Sequence, residues 1–163
     1  MKKIVFLDRD GIINKKTPIS DYVKRWEEFK FLPGAIGAIK LLNDNGFKVV
    51  VITNQAGIAK GRFSLGDLRR IHDNMQKELK KHNAHIDAIY FCPHGYNDGC
   101  GCRKPRPGLL LQAGRDLNFD TKDAILIGDD EKDEEAGKAA GCRTIRIKTD
   151  GSLLDAVRKI VRV

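Results

Sequence analysis

The chain has 163 residues, of which 41% are hydrophobic and 32% charged, so it can bury one sizeable core and we expect a single domain over residues 1–163. Its net charge of +8 favours anionic partners, a class that includes phosphorylated metabolites, nucleic acids and membrane surfaces. No apolar run approaches the roughly 18 residues of a membrane-spanning helix, and the apolar stretch at the N-terminus is too short for a signal peptide. We therefore expect a cytoplasmic protein that does not enter a membrane.

Short apolar runs alternate with helical periodicity along the chain. The runs predict five strands, at residues 4–7, 48–52, 88–91, 124–127 and 144–147. The periodic segments predict helices at 33–45, from Ser64 to Leu79, at 107–117, at 131–140 and after Ser152. Because strands and helices alternate, we expect an α/β protein with a three-layer, Rossmann-like fold around a central parallel five-stranded sheet.

Polar and charged side chains follow four of the predicted strands. In chain order they are Asp8 and Asp10, then Thr53 and Asn54, then Arg103 and Lys104, then Asp129 and Asp130. Ligands of open α/β sheets bind outside the carboxyl ends of the strands, so these side chains are expected in one crevice. Carboxylates gathered there repel one another unless a hard cation binds between them, which suits magnesium. The basic and hydroxyl groups suit an anion.

This ordered set of motifs resembles the haloacid dehalogenase (HAD) superfamily. Residues 6–11, 53–61 and 92–105 resemble its branch of heptose 1,7-bisphosphate and histidinol-phosphate phosphatases, and the likeness runs from residue 4 to about residue 147. The resemblance implies a magnesium-dependent phosphomonoester hydrolase that works through an aspartyl-phosphate intermediate.

The resemblance also implies a role for each matching residue. Asp8 is the nucleophile, and Asp10 is a general acid and then a general base. Magnesium is held by the Asp8 carboxylate, the Asp10 main-chain carbonyl and Asp129. The residues that bind the phosphoryl group and the rest of the substrate are Thr53, Asn54, Arg103 and Lys104.

Two positions depart from the heptose branch. Asp130 stands where that branch commonly has lysine, and Ala56 where it often has serine. Asp130 is then either a further metal ligand or a hydrogen-bond acceptor that does not itself bind the metal. Both departures affect which substrate is expected, and neither changes the expected class of reaction.

Cys92, His94, Cys100 and Cys102 lie close together in the sequence. Three thiolates and one imidazole make a closed tetrahedral set for structural zinc, with no position left for a catalytic water. The alternative is a set of reduced side chains without a metal. We expect zinc to order this loop and to aim the two basic residues that follow it. Cys142 reads as a small buried hydrophobic residue.

The expected substrate is a small phosphorylated metabolite, best matched to a heptose bisphosphate. Arg103, Arg106 and Lys60 are candidates for holding a second phosphate. Histidinol phosphate is the nearest alternative. The positive charge also admits a nucleic-acid 3′-phosphatase, but no aromatic residues interleave the basic clusters as a strand-binding groove requires. A non-catalytic binding module would be expected to lack Asp8.

The segment 11–32 is too short for a separate cap domain, so we expect a relatively open site. Tyr22 and Trp26 in this segment are expected to pack locally rather than to stack on a substrate. No spare apolar face is evident in the helical patterns, and we therefore expect a monomer.

Overall fold

Five parallel strands form one sheet in the computed structural model, which describes residues 2–162. The terminal residues 1 and 163 of the expected domain lie outside this range. The strands are β1 (Ile4–Leu7), β2 (Lys48–Asn54), β3 (Ala88–Cys92), β4 (Ala124–Gly128) and β5 (Arg143–Arg146). Their order across the sheet is β3-β2-β1-β4-β5.

Helices cover both faces of the sheet. They are α1 (Ala35–Asp44), α2 (Leu65–Lys81), α3 (Gly108–Asp116), α4 (Glu131–Ala139) and α5 (Leu153–Val161). Alternate residues of β1 enter two separate cores: Val5 and Leu7 pack with α1, α2 and α5, whereas Ile4 and Phe6 pack with α3 and α4. All four are buried, which explains an apolar run without alternation. The prediction of a three-layer α/β fold is confirmed.

β1 has the predicted bounds, whereas β2, β3 and β4 are each longer than predicted. β2 continues through Thr53 and Asn54, which pair in register with Phe91 and Cys92 of β3, and β4 continues to Gly128. The polar residues at these ends do not look strand-like in sequence, but the neighbouring strand supplies the backbone partners. Two short 3-10 helices, Trp26–Glu28 and Thr121–Asp123, were also not predicted.

The chain order places a crevice beside β1. The strands β2 and β3 extend to one side of β1 and β4 and β5 to the other, so the connections diverge at the carboxyl end of β1, where open α/β sheets bind ligands. The segment 11–32 carries the first 3-10 helix and no larger inserted unit within the described chain, as predicted. Across residues 2–162, every helix is too short or too polar to span a bilayer.

Candidate active site

Lys104 lies at the centre of a buried group of charges at the carboxyl ends of the strands. Its Nζ is 3.0 Å from Asp8 Oδ1 and 2.7 Å from Asp133 Oδ1, and it also donates to the main-chain oxygen of Ile52 at 3.1 Å. The Lys104 side chain is 3% exposed. One ammonium group therefore links the carboxylate that follows β1 to a carboxylate on α4.

Asp129 is the third carboxylate of this group. Oxygens of Asp8, Asp129 and Asp133 lie within 4.8 Å of one another. Asp129 Oδ2 accepts from Thr149 Oγ1 at 2.8 Å and Lys16 Nζ at 3.3 Å. Asp129 Oδ1 is buried and lacks a hydrogen-bond partner among the described residues. A buried carboxylate oxygen needs a donor or a cation, so this oxygen fits a hard metal ion.

The charge balance at Asp8 also fits a bound cation. Burial raises the pKa of Asp8 well above its usual range; Lys104 opposes this rise, and the carboxylates of Asp133, Asp129 and Asp10 add to it. The carboxylate of a nucleophile must be ionised to react. A divalent cation between Asp8 and Asp129 would restore that ionised form.

Gly11 allows the chain to pass close to this group. Its φ is +86°, and a Cβ there would lie 2.3 Å from Asp129 Oδ2. Any side chain at this position would be strained and would strike the carboxylate. The presence of glycine directly after Asp10 therefore has a steric reason.

Asp10 has surroundings that differ from those of Asp8. Its Oδ1 accepts from Arg9 Nη2 at 2.8 Å and from Asn14 Nδ2 at 2.9 Å, and its Oδ2 accepts from Gln55 Nε2 at 3.2 Å. Burial by itself raises the pKa of Asp10, but the Arg9 charge and these hydrogen bonds outweigh it and hold the pKa below its usual value. Two neighbouring aspartates therefore have pKa values shifted in opposite directions, which is a feature of acid–base sites.

Thr53 and Asn54 occupy the end of β2. Thr53 is buried, and its Oγ1 accepts from Gln55 Nε2 at 2.9 Å. The amide of Asn54 is hydrogen-bonded to the main chain of Lys104 through both polar atoms, at 3.1 and 3.0 Å. We infer that Asn54 positions Lys104, a role that differs from direct phosphate binding.

A cavity of about 390 Å³ opens above the carboxylates. Arg103, Lys60 and Lys132 surround the half-exposed ring of Tyr96, with cationic groups 4.1, 4.6 and 5.6 Å from its centroid. The buried Nη1 of Arg103 has no hydrogen-bond partner within residues 2–162. We call these three cationic groups the cationic rim; they suit a second anion that does not contact Asp8. The residues that line the cavity include Asp8, Asp10, Lys16, Tyr22, Thr53, Asn54, Tyr96, Arg103, Lys104, Asp130 and Lys132.

Arg106 and the aromatic residues of the segment 11–32 have structural contacts. Arg106 donates to the main-chain oxygen of Cys100, so it supports the cysteine loop. Trp26 stacks on Phe29 at 5.1 Å, as predicted. Tyr22 packs against Phe63 at 5.9 Å and also lines the cavity.

The three cysteines and one histidine that the sequence predicts as a zinc site lie together in the structure. Donor atoms of Cys92, His94, Cys100 and Cys102 lie within 4.8 Å of one another; His94 Nδ1 is 3.1 Å from Cys102 Sγ and 3.4 Å from Cys92 Sγ. Burial opposes ionisation of Cys100, but the Arg103 main-chain N–H and the neighbouring thiols lower its pKa to about 6. Soft thiolate and imidazole donors at this spacing fit zinc.

Asp130 is the N-cap of α4. Its side chain accepts from the main-chain N–H of Lys132, and it forms a capping box with Asp133. Asp130 is not among the carboxylates that cluster around Asp129. Of the two interpretations that the sequence left open, the structure favours an acceptor outside the metal's ligands.

Several site residues carry no recognisable sequence signal. Lys16 and Thr149 reach Asp129 from irregular segments, and His72 reaches the site from the middle of α2. Arg9 and Gln55 lie inside recognised motifs, but the sequence gives no reason to assign them contacts. Asp133 follows the same strand as Asp129, but nothing in the sequence predicts its pairing with Lys104.

Comparisons with known proteins agree with this geometry. A family model described as "HAD-hyrolase-like" matches residues 101–161. D-glycero-beta-D-manno-heptose-1,7-bisphosphate 7-phosphatase from Pseudomonas aeruginosa is 38% identical over 148 residues, 91% of this chain and 82% of that protein. The D-glycero-alpha-D-manno-heptose-1,7-bisphosphate 7-phosphatase of Mycobacterium tuberculosis is 39% identical over 160 residues, 93% and 84% of the two chains.

Solved structures give the same result. The D,D-heptose bisphosphate phosphatase of B. bronchiseptica, in complex with magnesium and phosphate, matches with a TM-score of 0.90 and 32% identity, covering 98% of both chains. The corresponding enzyme of Burkholderia thailandensis matches with a TM-score of 0.68 and 30% identity, covering 98% of this chain and 85% of that one. The likeness thus extends over nearly the whole chain.

Proposed function

The chain belongs to the heptose bisphosphate phosphatase family of HAD-like hydrolases and is a phosphatase; from this premise we propose that it removes the 7-phosphate of D-glycero-D-manno-heptose 1,7-bisphosphate. The observation that carries the proposal is the buried contact of Asp8 with Lys104 beside Asp129, at the bottom of a cavity with a cationic rim. This arrangement supports attack by Asp8 on a phosphoryl group that enters the cavity and is held by the positive charge of Lys104.

The reaction proceeds in two transfers. An oxygen of Asp8 forms a bond to phosphorus while the bond from phosphorus to the sugar oxygen breaks, and that oxygen takes a proton from Asp10. A water molecule then gives a proton to Asp10 and attacks the phosphorus of the aspartyl phosphate. Inorganic phosphate leaves and the Asp8 carboxylate is restored.

The surrounding residues hold the reacting groups. Lys104 and the Thr53 hydroxyl bind phosphoryl oxygens as charge redistributes in the transition state. Asp133 keeps Lys104 in place, since its Oδ1 accepts from Nζ and its Oδ2 accepts from the main-chain N–H groups of Asp129 and Asp130. The lowered pKa of Asp10 favours its ionised form before substrate binds, and the approach of a phosphate dianion raises its affinity for the proton that it must donate.

Two metals are part of the proposal. Magnesium would be held by the Asp8 carboxylate, the Asp10 main-chain carbonyl and Asp129, and when bound it supplies positive charge that offsets repulsion between the nucleophile and the phosphate. Zinc would be held by the four-residue cluster that begins at Cys92, where it orders the loop leading to Arg103.

The cationic rim supports a bisphosphate substrate. Arg103, Lys60 and Lys132 meet at Tyr96, on the wall of the same cavity as Asp8. A substrate whose reacting phosphate lies at Asp8 could place its second phosphate there. The relatives named for the alpha and for the beta anomer are equally similar to this chain, so both anomers belong in the test.

The remaining expectations concern the whole chain. We propose a single domain that works as a monomer in the cytoplasm. Reduced thiols for zinc suit that compartment. Of the large apolar side chains that are exposed within the described residues, Ile19 and Tyr96 line the cavity, and Leu65 and Leu111 lie on different helices; this distribution supports a monomer.

The test is phosphate release from a panel of substrates with and without magnesium. The panel contains both anomers of heptose 1,7-bisphosphate, histidinol phosphate and a 3′-phosphorylated oligonucleotide. We expect magnesium-dependent turnover to be fastest with one heptose anomer. Faster turnover of histidinol phosphate would overturn the substrate, and turnover of the oligonucleotide alone would overturn the substrate class.

A further inference from the structure

Arg9 is a completely buried cation beside the catalytic aspartates. It is the largest of the fully buried side chains in the described chain. Its Nη2 and Nε donate to Asp10 Oδ1 at 2.8 and 3.3 Å, and its Nη1 lies 3.0 Å from His72 Nε2. The guanidinium group therefore spans from α2 to the loop after β1, with Asp10 on one side and His72 on the other.

His72 accepts the hydrogen bond from Arg9. Burial and the Arg9 charge lower the pKa of His72 to about 3, against a smaller opposing effect of Asp10. The ring is consequently neutral at neutral pH. Arginine can act as a donor and never as an acceptor, so Nε2 carries the lone pair and the proton lies on Nδ1.

The two oxygens of Asp10 are held unequally. Oδ1 accepts from Arg9 and from Asn14, whereas Oδ2 accepts from Gln55 alone among the described residues. The Asp10 side chain is 28% exposed and lines the cavity. Oδ2 therefore retains lone-pair capacity for a proton, and Oδ1 anchors the group.

We propose that His72 is a positioning residue for proton transfer: by fixing Arg9, it holds the Asp10 carboxylate so that Oδ2 meets the leaving oxygen of the substrate. This inference rests on the proposed role of Asp10 as general acid. Without an acceptor at residue 72, Nη1 would be a buried donor without a partner. Arg9 would then turn to satisfy it and would pull Asp10 away from the leaving oxygen.

The test compares kcat/KM for two substrates whose leaving groups need a proton to different extents. The alkoxide that leaves heptose 1,7-bisphosphate needs one, whereas para-nitrophenyl phosphate releases a stabilised anion. Since kcat/KM reports the first phosphoryl transfer, the ratio of the two values measures proton donation. His72→Leu should lower kcat/KM for heptose 1,7-bisphosphate roughly 100-fold, as expected for a misplaced catalytic group. It should lower kcat/KM for para-nitrophenyl phosphate far less.

Matched variants separate positioning from folding. His72→Gln retains an acceptor and should keep the wild-type ratio, and Arg9→Met should shift the ratio as His72→Leu does, which provides a second measurement if His72→Leu does not fold. Leu79→Ala, in the core on the same helix, should lower the melting temperature and leave the ratio unchanged.

Each contrary result has a distinct meaning. If Asp10→Asn shifts the ratio, but the His72 and Arg9 variants lower kcat/KM equally for both substrates, the positioning role is overturned and the proposed function stands. If Asp10→Asn leaves the ratio unchanged, the proposed role of Asp10 fails and the inference fails with it.

Discussion

Lys104 combines a proposed catalytic role with a structural one. Its ammonium is buried between Asp8 and Asp133; burial lowers the pKa of Lys104, but the two carboxylates outweigh burial and raise it. The sequence predicts contact with the phosphoryl group, a role that remains a proposal. The structure adds that this charge also compensates two buried carboxylates.

We predict that Lys104→Ala loses both activity and stability. One lost electrostatic contact to the transition state costs roughly 100- to 1000-fold in rate, and an uncompensated buried charge costs about 3–5 kcal/mol of unfolding free energy. Urea unfolding and kcat/KM test this, with Lys40→Ala as control because its pair with Asp44 is exposed. Wild-type stability of Lys104→Ala would show that the buried pairs contribute nothing.

His72 gives a pH dependence whose sign follows from its pKa. The folded pKa of about 3 lies below the unfolded value of about 6.5, so as the pH falls below 6.5 the unfolded chain takes up a proton that the folded chain does not. The stabilisation from the neutral ring is complete above that pH and is lost progressively toward pH 3, by up to about 1.4 kcal/mol per pH unit.

The measurement compares the wild type with His72→Gln. Between pH 8 and pH 5, the unfolding free energy of the wild type should fall by roughly 2 kcal/mol more than that of the variant. Other titrating groups are shared by both proteins and cancel in the difference. Parallel curves would mean that residue 72 is not buried as a neutral ring.

At the scale of elements, the start of α4 connects a helix cap to the buried charges of the candidate site. Asp130 caps the helix, and its capping-box partner Asp133 is the residue that holds Lys104. The sequence indicates a carboxylate-rich motif after β4. The motif by itself does not reveal which carboxylate faces the site proposed for magnesium, because that depends on where the helix begins; only the resemblance implies Asp129.

We predict that Asp130 acts as a helix cap. Asp130→Ala should lower the unfolding free energy by about 1 kcal/mol, and Asp130→Asn should retain most of that stability because asparagine also caps helices. Both variants should keep the magnesium concentration for half-maximal activity close to that of the wild type. A large rise in that concentration for Asp130→Asn would identify Asp130 as a metal ligand.

The cysteine loop is a second element with its own test. We predict that zinc co-purifies with the wild type and is lost from Cys100→Ser, whose kcat/KM should fall because Arg103 and Lys104 follow the loop directly. Cys142→Ser is the matched control, since this cysteine lies in the core and outside the cluster. Element analysis of the purified proteins is decisive: zinc-free wild type with full activity would contradict the assignment.

For the whole molecule, local patterns predict the architecture well and the contacts within the site less well. Apolar runs such as residues 49–52 predict buried parallel strands because both faces of such strands are covered. The convergence of Asp8 and Asp129 also follows from topology, since β1 and β4 are neighbours. By contrast, the contact of Lys16 with Asp129 joins residues from distant, irregular parts of the chain, where no periodicity determines the path.

The same distinction explains Arg9 and His72. The helical spacing of apolar residues in α2 places His72 near the core-facing side of the helix, but it does not predict that a buried guanidinium lies opposite. Such a contact depends on how α2 packs against the loop after β1. Tertiary packing of this kind has no local signature in a single sequence.

The central claim is that the Asp8 carboxylate attacks phosphorus and becomes phosphorylated. Rapid acid quenching of the enzyme during turnover, followed by mass spectrometry of its peptides, tests this claim most directly. We predict a phosphoryl adduct on the peptide that carries Asp8, and neither adduct nor turnover in Asp8→Asn. An adduct on another residue, or wild-type turnover of Asp8→Asn, would contradict the account.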